Sequence, residues 1–393
     1  MPARVSPEHG LVGFAEASRQ DLDANASAIA KGRGNVGRNH SALWFIPQVT
    51  HALKGGIRTV FMLAEDLSRN WGTLNHLVLY SYNGADVDTA PLSKSLTTHF
   101  PELRFLIHVH RRGKDSVSSL PPSSFSFCTL WTTAYLLLKY QQTDSKYYLM
   151  QDFEPSFYAA GSVYGVIEQT YRFGFSCIAN TPGVADRYRR YSDDVVSFLP
   201  GVDTRVFNPL KGKLAPGRPA RVVFYGRPSN PRNCFGLGVE TLAALKQRMD
   251  ERVRIQSVGE AWDPASYGLE GVVENLGLLG SMEEVGSLYR ESDLGLVFMM
   301  TPHPSYQPLE YMAAGCVVAT NINEANRWLL NERNSLQLEP IPSLAAERIE
   351  NLLCDPSAWA GKREEGMRSI ARLTWDSAFQ IVRDRLLGVV RPI

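Results

Sequence analysis

Short apolar runs recur along this chain, each closed by a turn of Gly, Pro, Ser or Asn and followed by a segment with helical spacing. The first, SALWFIPQV from Ser41, leads through the turn His51–Gly56 into a helix over Ile57–Arg69. Further strands are expected at His76–Tyr82, Phe105–Val109, Tyr147–Met150 and Ser176–Asn180, with helices at Leu130–Tyr140 and Val184–Tyr191. The pattern restarts at Arg221. Strands over Arg221–Tyr225, Arg252–Val258, Val272–Leu276, Leu294–Met299 and Cys316–Thr320 accompany helices over Gly236–Met249 and Met282–Glu291. Strands alternating with helices imply parallel pairing, hence an α/β protein with two doubly wound domains. In open sheets of this kind ligands bind outside the carboxyl ends of the strands, so the expected site is a cleft between the two domains.

The Pro- and Gly-punctuated segment Phe198–Pro209 marks the hinge. The expected division is an N-terminal extension over 1–40, a first domain over 41–200, a second over 201–370 and a closing helix over 371–393 that returns to the first domain, with amphipathic helical spacing over Met367–Leu387. Ser18–Ile29 has helical composition, Lys31–Asn39 reads as a Gly-rich basic linker, and both look peripheral. Ser81–Thr98 and Val117–Phe127 read as variable loops of the first domain.

Composition narrows the function classes. At 393 residues the chain exceeds one typical core. A net charge of +1 argues against a dedicated nucleic-acid binder. Five scattered cysteines without a CxxC pair fit reduced thiols and give no metal signature. With a mean hydropathy of −0.18 and no long apolar run, a cytoplasmic protein is expected. The basic run Lys31–Arg38 leaves open docking at the inner face of a membrane, with a solvated linker as the plainer reading.

The stretch Thr301–Asn321 packs a Pro-rich polar loop, a helix opening at Pro308, a Gly315 stop and a buried strand into one short segment. Pro at the first turn needs no amide donor, and the amides around Ser305 and Tyr306 suit an anion such as a diphosphate. Glu310 would hold sugar hydroxyls, or merely complement the helix dipole. Arg227 and Arg232 share the strand-to-helix loop after Gly226, where two guanidinium groups could clamp a diphosphate or simply be solvated. Glu260 stands where a nucleobase could be met, or is a solvated loop carboxylate, and His303 could contact a sugar or phosphate, or be structural. In the first half, Gly55 and Gly56 open a helix and permit close backbone approach to an anion. Asp152 and Glu154 follow a strand; they would orient donor or acceptor hydroxyls, with helix capping as the alternative. Two carboxylates alone are poor grounds for a metal.

Four signatures carry a family resemblance: LPGVDTRVFNP from Leu199, YGRPSNPRN from Tyr225, NLGLLGSMEEVGSLYRESDLGLVF from Asn275 and PLEYMAAGCVVATN from Pro308. Together they resemble the donor domain of glycosyltransferase family 4, of GT-B architecture. PHPSYQPLE and YYLMQDFEPSFY resemble more specifically the WsaF-type rhamnosyltransferases, which use dTDP-L-rhamnose, from about Leu43 onward. The resemblance implies a retaining, metal-independent transfer of a sugar, most simply L-rhamnose, to a saccharide acceptor in glycan or polysaccharide biosynthesis. It casts Arg227 and Arg232 as binders of the donor diphosphate, Arg232 standing where many relatives have lysine. Glu310 matches the second glutamate of a pair with seven residues between them, expected on the nucleotide ribose; the first is replaced by Pro302. His303, Ser305 and Tyr306 then shape the sugar and phosphate pocket, and Gly55 and Gly56 look like the glycine loop facing the diphosphate. A nucleotide-sugar 2-epimerase and a catalytically silent nucleotide- or carbohydrate-binding subunit are the alternatives.

Overall fold

Apolar residues too numerous for one face force the strands inside, and helices must cover them on both sides. The structure is a computed structural model describing residues 7–31, 40–53 and 55–388; Lys54 and most of the basic run 31–38 lie outside those residues. The chain divides into two units, one running to Phe198 and resuming at Phe379, the other Leu199–Ala378.

The first unit carries strands β1 (Ser41–Pro47), β2 (Leu74–Ser81), β3 (Phe105–Arg111), β4 (Ser123–Cys128), β5 (Thr143–Met150), β6 (Ser176–Asn180) and β7 (Val195–Phe198). Its helices are α1 (Pro7–Val12), α2 (Arg19–Ala30), α3 (Gly55–Trp71), α4 (Ala90–His99), α5 (Trp131–Lys139), α6 (Ser162–Thr170) and α7 (Pro182–Tyr188). All strand pairs are parallel, in the order β3-β2-β1-β4-β5-β6-β7. The order reverses between β1 and β4, the switch point of a doubly wound sheet.

Three sequence expectations fail here, each for a physical reason. The segment Val117–Phe127 is no simple loop: its second half belongs to β4, a wholly buried central strand. Its serines disguise it. Ser126 Oγ bonds Thr143 Oγ1 at 2.9 Å and Ser123 Oγ at 2.8 Å, so the hydroxyls are buried in pairs. Phe127 meanwhile stacks on Trp44 with centroids 3.9 Å apart. Ser81–Thr98 contains α4, held by buried Leu92 and Leu96 one turn apart. The early segment is integral, not peripheral. Asn25 of α2 is buried, donating to Phe173 O at 2.7 Å and accepting from Lys146 Nζ at 2.9 Å, and Phe14 packs edge-on against Tyr82 and Trp131.

The second unit carries β8 (Ala220–Gly226), β9 (Val253–Gly259), β10 (Glu274–Asn275), β11 (Leu294–Leu296), β12 (Val317–Asn321) and β13 (Ser335–Leu338). They lie parallel in the order β10-β9-β8-β11-β12-β13. Around them stand α8 (Phe235–Met249), α9 (Met282–Glu291), α10 (Gln307–Ala314), α11 (Pro342–Leu353) and α12 (Pro356–Ile370). The expected continuous helix Met367–Leu387 is broken: α12 stops at Ile370 and α13 begins at Trp375 (Trp375–Leu386). Thr374 Oγ1 caps the new helix by accepting from Ser377 N. Gly201 crosses there so closely that a Cβ would lie 2.2 Å from Trp375 N, so no larger residue fits. From Phe379 the helix belongs to the first unit, where Arg383 Nη1 donates to Asp66 Oδ1 at 2.6 Å with both side chains buried.

Candidate functional site

In the second unit the strand order reverses between β8 and β11, and the predicted site residues follow the carboxyl ends of these two strands. Gly226 closes β8 because nothing larger fits: a Cβ there would sit 2.5 Å from Ser257 Oγ. Arg227 comes next, its guanidinium 5.9 Å over the Tyr225 ring and within 3.4 Å of the Tyr225 hydroxyl. Gly259, at φ +112°, ends the neighbouring strand and leaves room for this pair; a Cβ would approach Tyr225 to 2.8 Å and Arg227 Cγ to 3.2 Å. Glu260 begins the loop after β9 and reaches the arginine loop through one carboxylate oxygen. Its Oε2 accepts from Ser229 Oγ at 2.6 Å and from Ser229 N at 3.3 Å, fastening the arginine loop. Asn230 then caps the short turn Pro231–Asn233 that presents Arg232.

The loop after β11 supplies the opposite wall. Asn321, at the end of β12, clasps Met299 from both sides: Nδ2 donates to its carbonyl at 2.9 Å and Oδ1 accepts from its amide at 2.7 Å. Asn323 Nδ2 donates to Thr301 O at 2.8 Å. These two asparagines escaped the sequence reading. The signal was the polar end of an otherwise apolar strand, where a buried amide has to find backbone partners.

His303 is 7% exposed. Its Nδ1 accepts from Ser305 N at 2.8 Å, so the proton of the neutral ring sits on Nε2, a buried nitrogen with no partner among the described residues. Burial and the Arg232 charge together push its pKa down to about 3. The ring is therefore a fixed neutral donor, and its response to Arg232 ties the two loops into one site. Ser305 pays for this turn with φ +66°, an uncommon conformation for a residue bearing a Cβ. Tyr306 follows as the residue before α10, edge-on to both His303 and Trp375. Pro308 lies within the first turn of α10 and Gly315 ends it at φ +72°, both as the residue types demand.

Glu310, half-buried in the first turn of α10, bears electrostatically on Tyr289 and Tyr311; burial first, then neighbouring charge, raises both phenols far above the usual range. Tyr225 contributes to both shifts, which links Glu310 back toward Arg227. In the second unit Gly226, Arg227 and Arg232 thus lie on the loop after β8, and His303, Ser305, Tyr306 and Glu310 on the segment after β11, the two strands that flank the switch point, with Glu260 as a tether.

In the first unit the switch point holds Gly55, at φ +49°, and Gly56 at the start of α3. Gln151 Nε2, just past β5, donates to Gly56 O at 2.7 Å, and a Cβ on Gly56 would collide with that amide at 2.9 Å. Asp152 is 5% exposed and accepts from Phe153 N. Glu154 takes the alternative role given above, that of capping a helix. It is 3% exposed, its Oε2 accepts from Trp131 N at 2.7 Å and its Oε1 from Tyr148 OH at 3.1 Å. A carboxylate committed to the first amide of α5 anchors that helix.

Residues 220–350 match the family described as WsaF, C-terminal domain. Over 378 residues the chain is 37% identical to the O-antigen biosynthesis protein RfbC of Myxococcus xanthus, covering 95% of this chain and 29% of that protein. It therefore spans less than a third of the length of that relative. Among solved structures, sucrose-phosphate synthase from Thermosynechococcus elongatus matches with TM-score 0.66 at 16% identity, over 89% of this chain and 100% of that one. HepE of Anabaena in complex with UDP and glucose matches with TM-score 0.66 at 15% identity, over 88% and 98%. A TarM variant of S. aureus in complex with fondaparinux, alpha-GlcNAc-glycerol and UDP matches with TM-score 0.67 at 9% identity, over 88% and 99%. At such identities these likenesses speak for the fold, the paired α/β sheets of the GT-B glycosyltransferases.

Proposed function

With a WsaF-type C-terminal domain over residues 220–350 as the premise, we propose that this chain is a glycosyltransferase of polysaccharide or O-antigen biosynthesis. In this reading it moves L-rhamnose from dTDP-L-rhamnose to a saccharide acceptor, with retention of configuration and without a divalent metal. The observation that carries the reading is the cationic, tautomer-fixed cluster of Arg227, Arg232 and His303 at the switch point of the second sheet. The diphosphate seen as UDP in HepE and TarM fits the same chemistry.

In the reaction the bond between the sugar C1 and the diphosphate oxygen breaks, a bond from C1 to the acceptor oxygen forms, and the acceptor proton passes to the leaving phosphate. Charge grows on the leaving diphosphate. Arg227 and Arg232 neutralise it, the α10 amides face it, and His303 Nε2–H supplies a neutral donor that stays uncharged at any working pH. Glu310 holds the ribose. Removing one charge-assisted contact of this kind costs about 3 kcal/mol, on the order of a hundredfold in rate. Asp152 is the acidic candidate for orienting the acceptor, beside the Gly55–Gly56 turn.

Incubation with dTDP-L-rhamnose and a rhamnose-bearing oligosaccharide, with chelator present, tests the proposal. Release of nucleoside diphosphate together with a longer glycan supports it. A nucleotide sugar epimerised at C2, with no release of nucleoside diphosphate and no glycan extension, would indicate the epimerase instead. Nucleotide binding without turnover across acceptors would favour a silent subunit, the reading that Pro302 in place of the first glutamate keeps in play.

A further inference from the structure

The second unit has a cavity of about 570 Å³ far from the residues described above. It opens at the amino ends of β8 and β9, beside Arg221 and Arg254, whereas Arg227 follows the carboxyl end of β8. A seven-residue strand separates the two by roughly 20 Å. Lys211, Lys213 and Arg218 line it with those two arginines, facing only Glu291 and Asp293. Both carboxylates are committed. Asp293 is buried against Lys213 Nζ at 2.8 Å and accepts from Gly217 N and Arg221 N, while Glu291 pairs with Arg221 at 2.6 Å. Arg254 is paired with Glu274 at 2.8 Å. Lys211 and Arg218 are exposed and, among the described residues, have no acidic partner.

The loop around this cavity also exposes apolar side chains: Leu214 is 79% and Leu210 is 48% exposed. A soluble phosphate or a nucleic acid would satisfy the cations and leave these leucines in water. A lipid surface satisfies both, with leucines entering the interface while lysine and arginine meet phosphates. The Asp293 anchor holds the loop in place, so little ordering remains to be done on docking. We infer that the loop 210–221 docks the protein on an anionic phospholipid bilayer, with Leu214 inserted, Lys211 and Arg218 on headgroup phosphates, and the cavity receiving one of them. The inference does not depend on which sugar is transferred, or on transfer at all.

Sedimentation of the whole chain with phosphatidylcholine vesicles, with and without phosphatidylglycerol, tests it in the absence of any nucleotide sugar. Binding is expected only where phosphatidylglycerol is present. K211A with R218A should weaken it about twenty-five-fold, at about fivefold per cation near such a surface. L214S should weaken it about tenfold, the loss for one leucine withdrawn from an interface. All three positions are exposed, so melting temperature and transfer to a soluble acceptor should match the parent. Equal binding to both vesicle types would overturn the inference, as would an L214S variant that binds like the parent. So would inorganic pyrophosphate bound through Lys211 and Arg218 with no vesicle binding.

Discussion

Replacing His303 with asparagine separates the two jobs of that ring. The Asn side-chain oxygen can take the place of Nδ1, because an Asx oxygen accepts well from the amide two residues on, here Ser305 N. The α10 entry should therefore survive. What disappears is a buried group held neutral well below its ordinary range, with a pKa of about 3 against 6.5. Between those values the unfolded chain binds a proton that the folded chain refuses, so stability falls on acidification through that window. At about 1.36 kcal/mol per pKa unit, the parent loses about 2 kcal/mol from this one group between pH 7 and pH 5. Urea titrations of both proteins at the two pH values measure it. H303N should show the smaller acid loss by that amount. Identical acid losses would refute the burial argument. A parent that grows more stable on acidification would show His303 charged and paired, the reverse of the structure's logic.

Other outcomes follow from single contacts. Arg383→Ala strands the buried Asp66 carboxylate and should cost about 3–5 kcal/mol in the first unit, read by denaturant titration; a loss below 1 kcal/mol would show the pair to be hydrated. Gly259→Ala combines an unfavourable positive φ with a clash against Tyr225 and Arg227, and should weaken nucleotide-sugar affinity at least tenfold by calorimetry while a truncation at exposed Leu278 does not. Lys146 is buried, and that burial depresses its pKa to about 7. The parent should therefore gain stability relative to K146M as pH rises from 7.5 to 9.5, by up to about 1.4 kcal/mol per unit; a flat difference would show that its bonds to Asn25, Leu138 and Gln141 keep it charged.

Much of the fold was legible because it rests on period and punctuation. Ser176–Asn180 and Met282–Glu291 stand where the pattern put them, and Gly315 stops α10 as a left-handed cap must. The serine-bearing β4 was not legible, since its hydroxyls are satisfied by Ser126–Thr143 and similar pairs that lie far apart in sequence. The same holds for the buried Asn25, whose partners Phe173 and Lys146 are distant along the chain. At the candidate site, motif spacing led to the arginine and His303 loops. It could not name the partners of Glu260 and Glu154, which are Ser229 and the amide of Trp131. Nor could it find Asn321, whose work is done on backbone atoms of another loop. Local signals name a segment, and long-range hydrogen bonds decide which of its polar groups are spent.

The central claim is that fixed positive groups of the second unit grip the donor diphosphate. Single-turnover transfer from dTDP-L-rhamnose, measured for the parent, Arg227→Ala and Arg232→Ala at matched folding, addresses it most directly. Transfer slowed on the order of a hundredfold in each variant is the predicted result. Parental rates in both variants would contradict it.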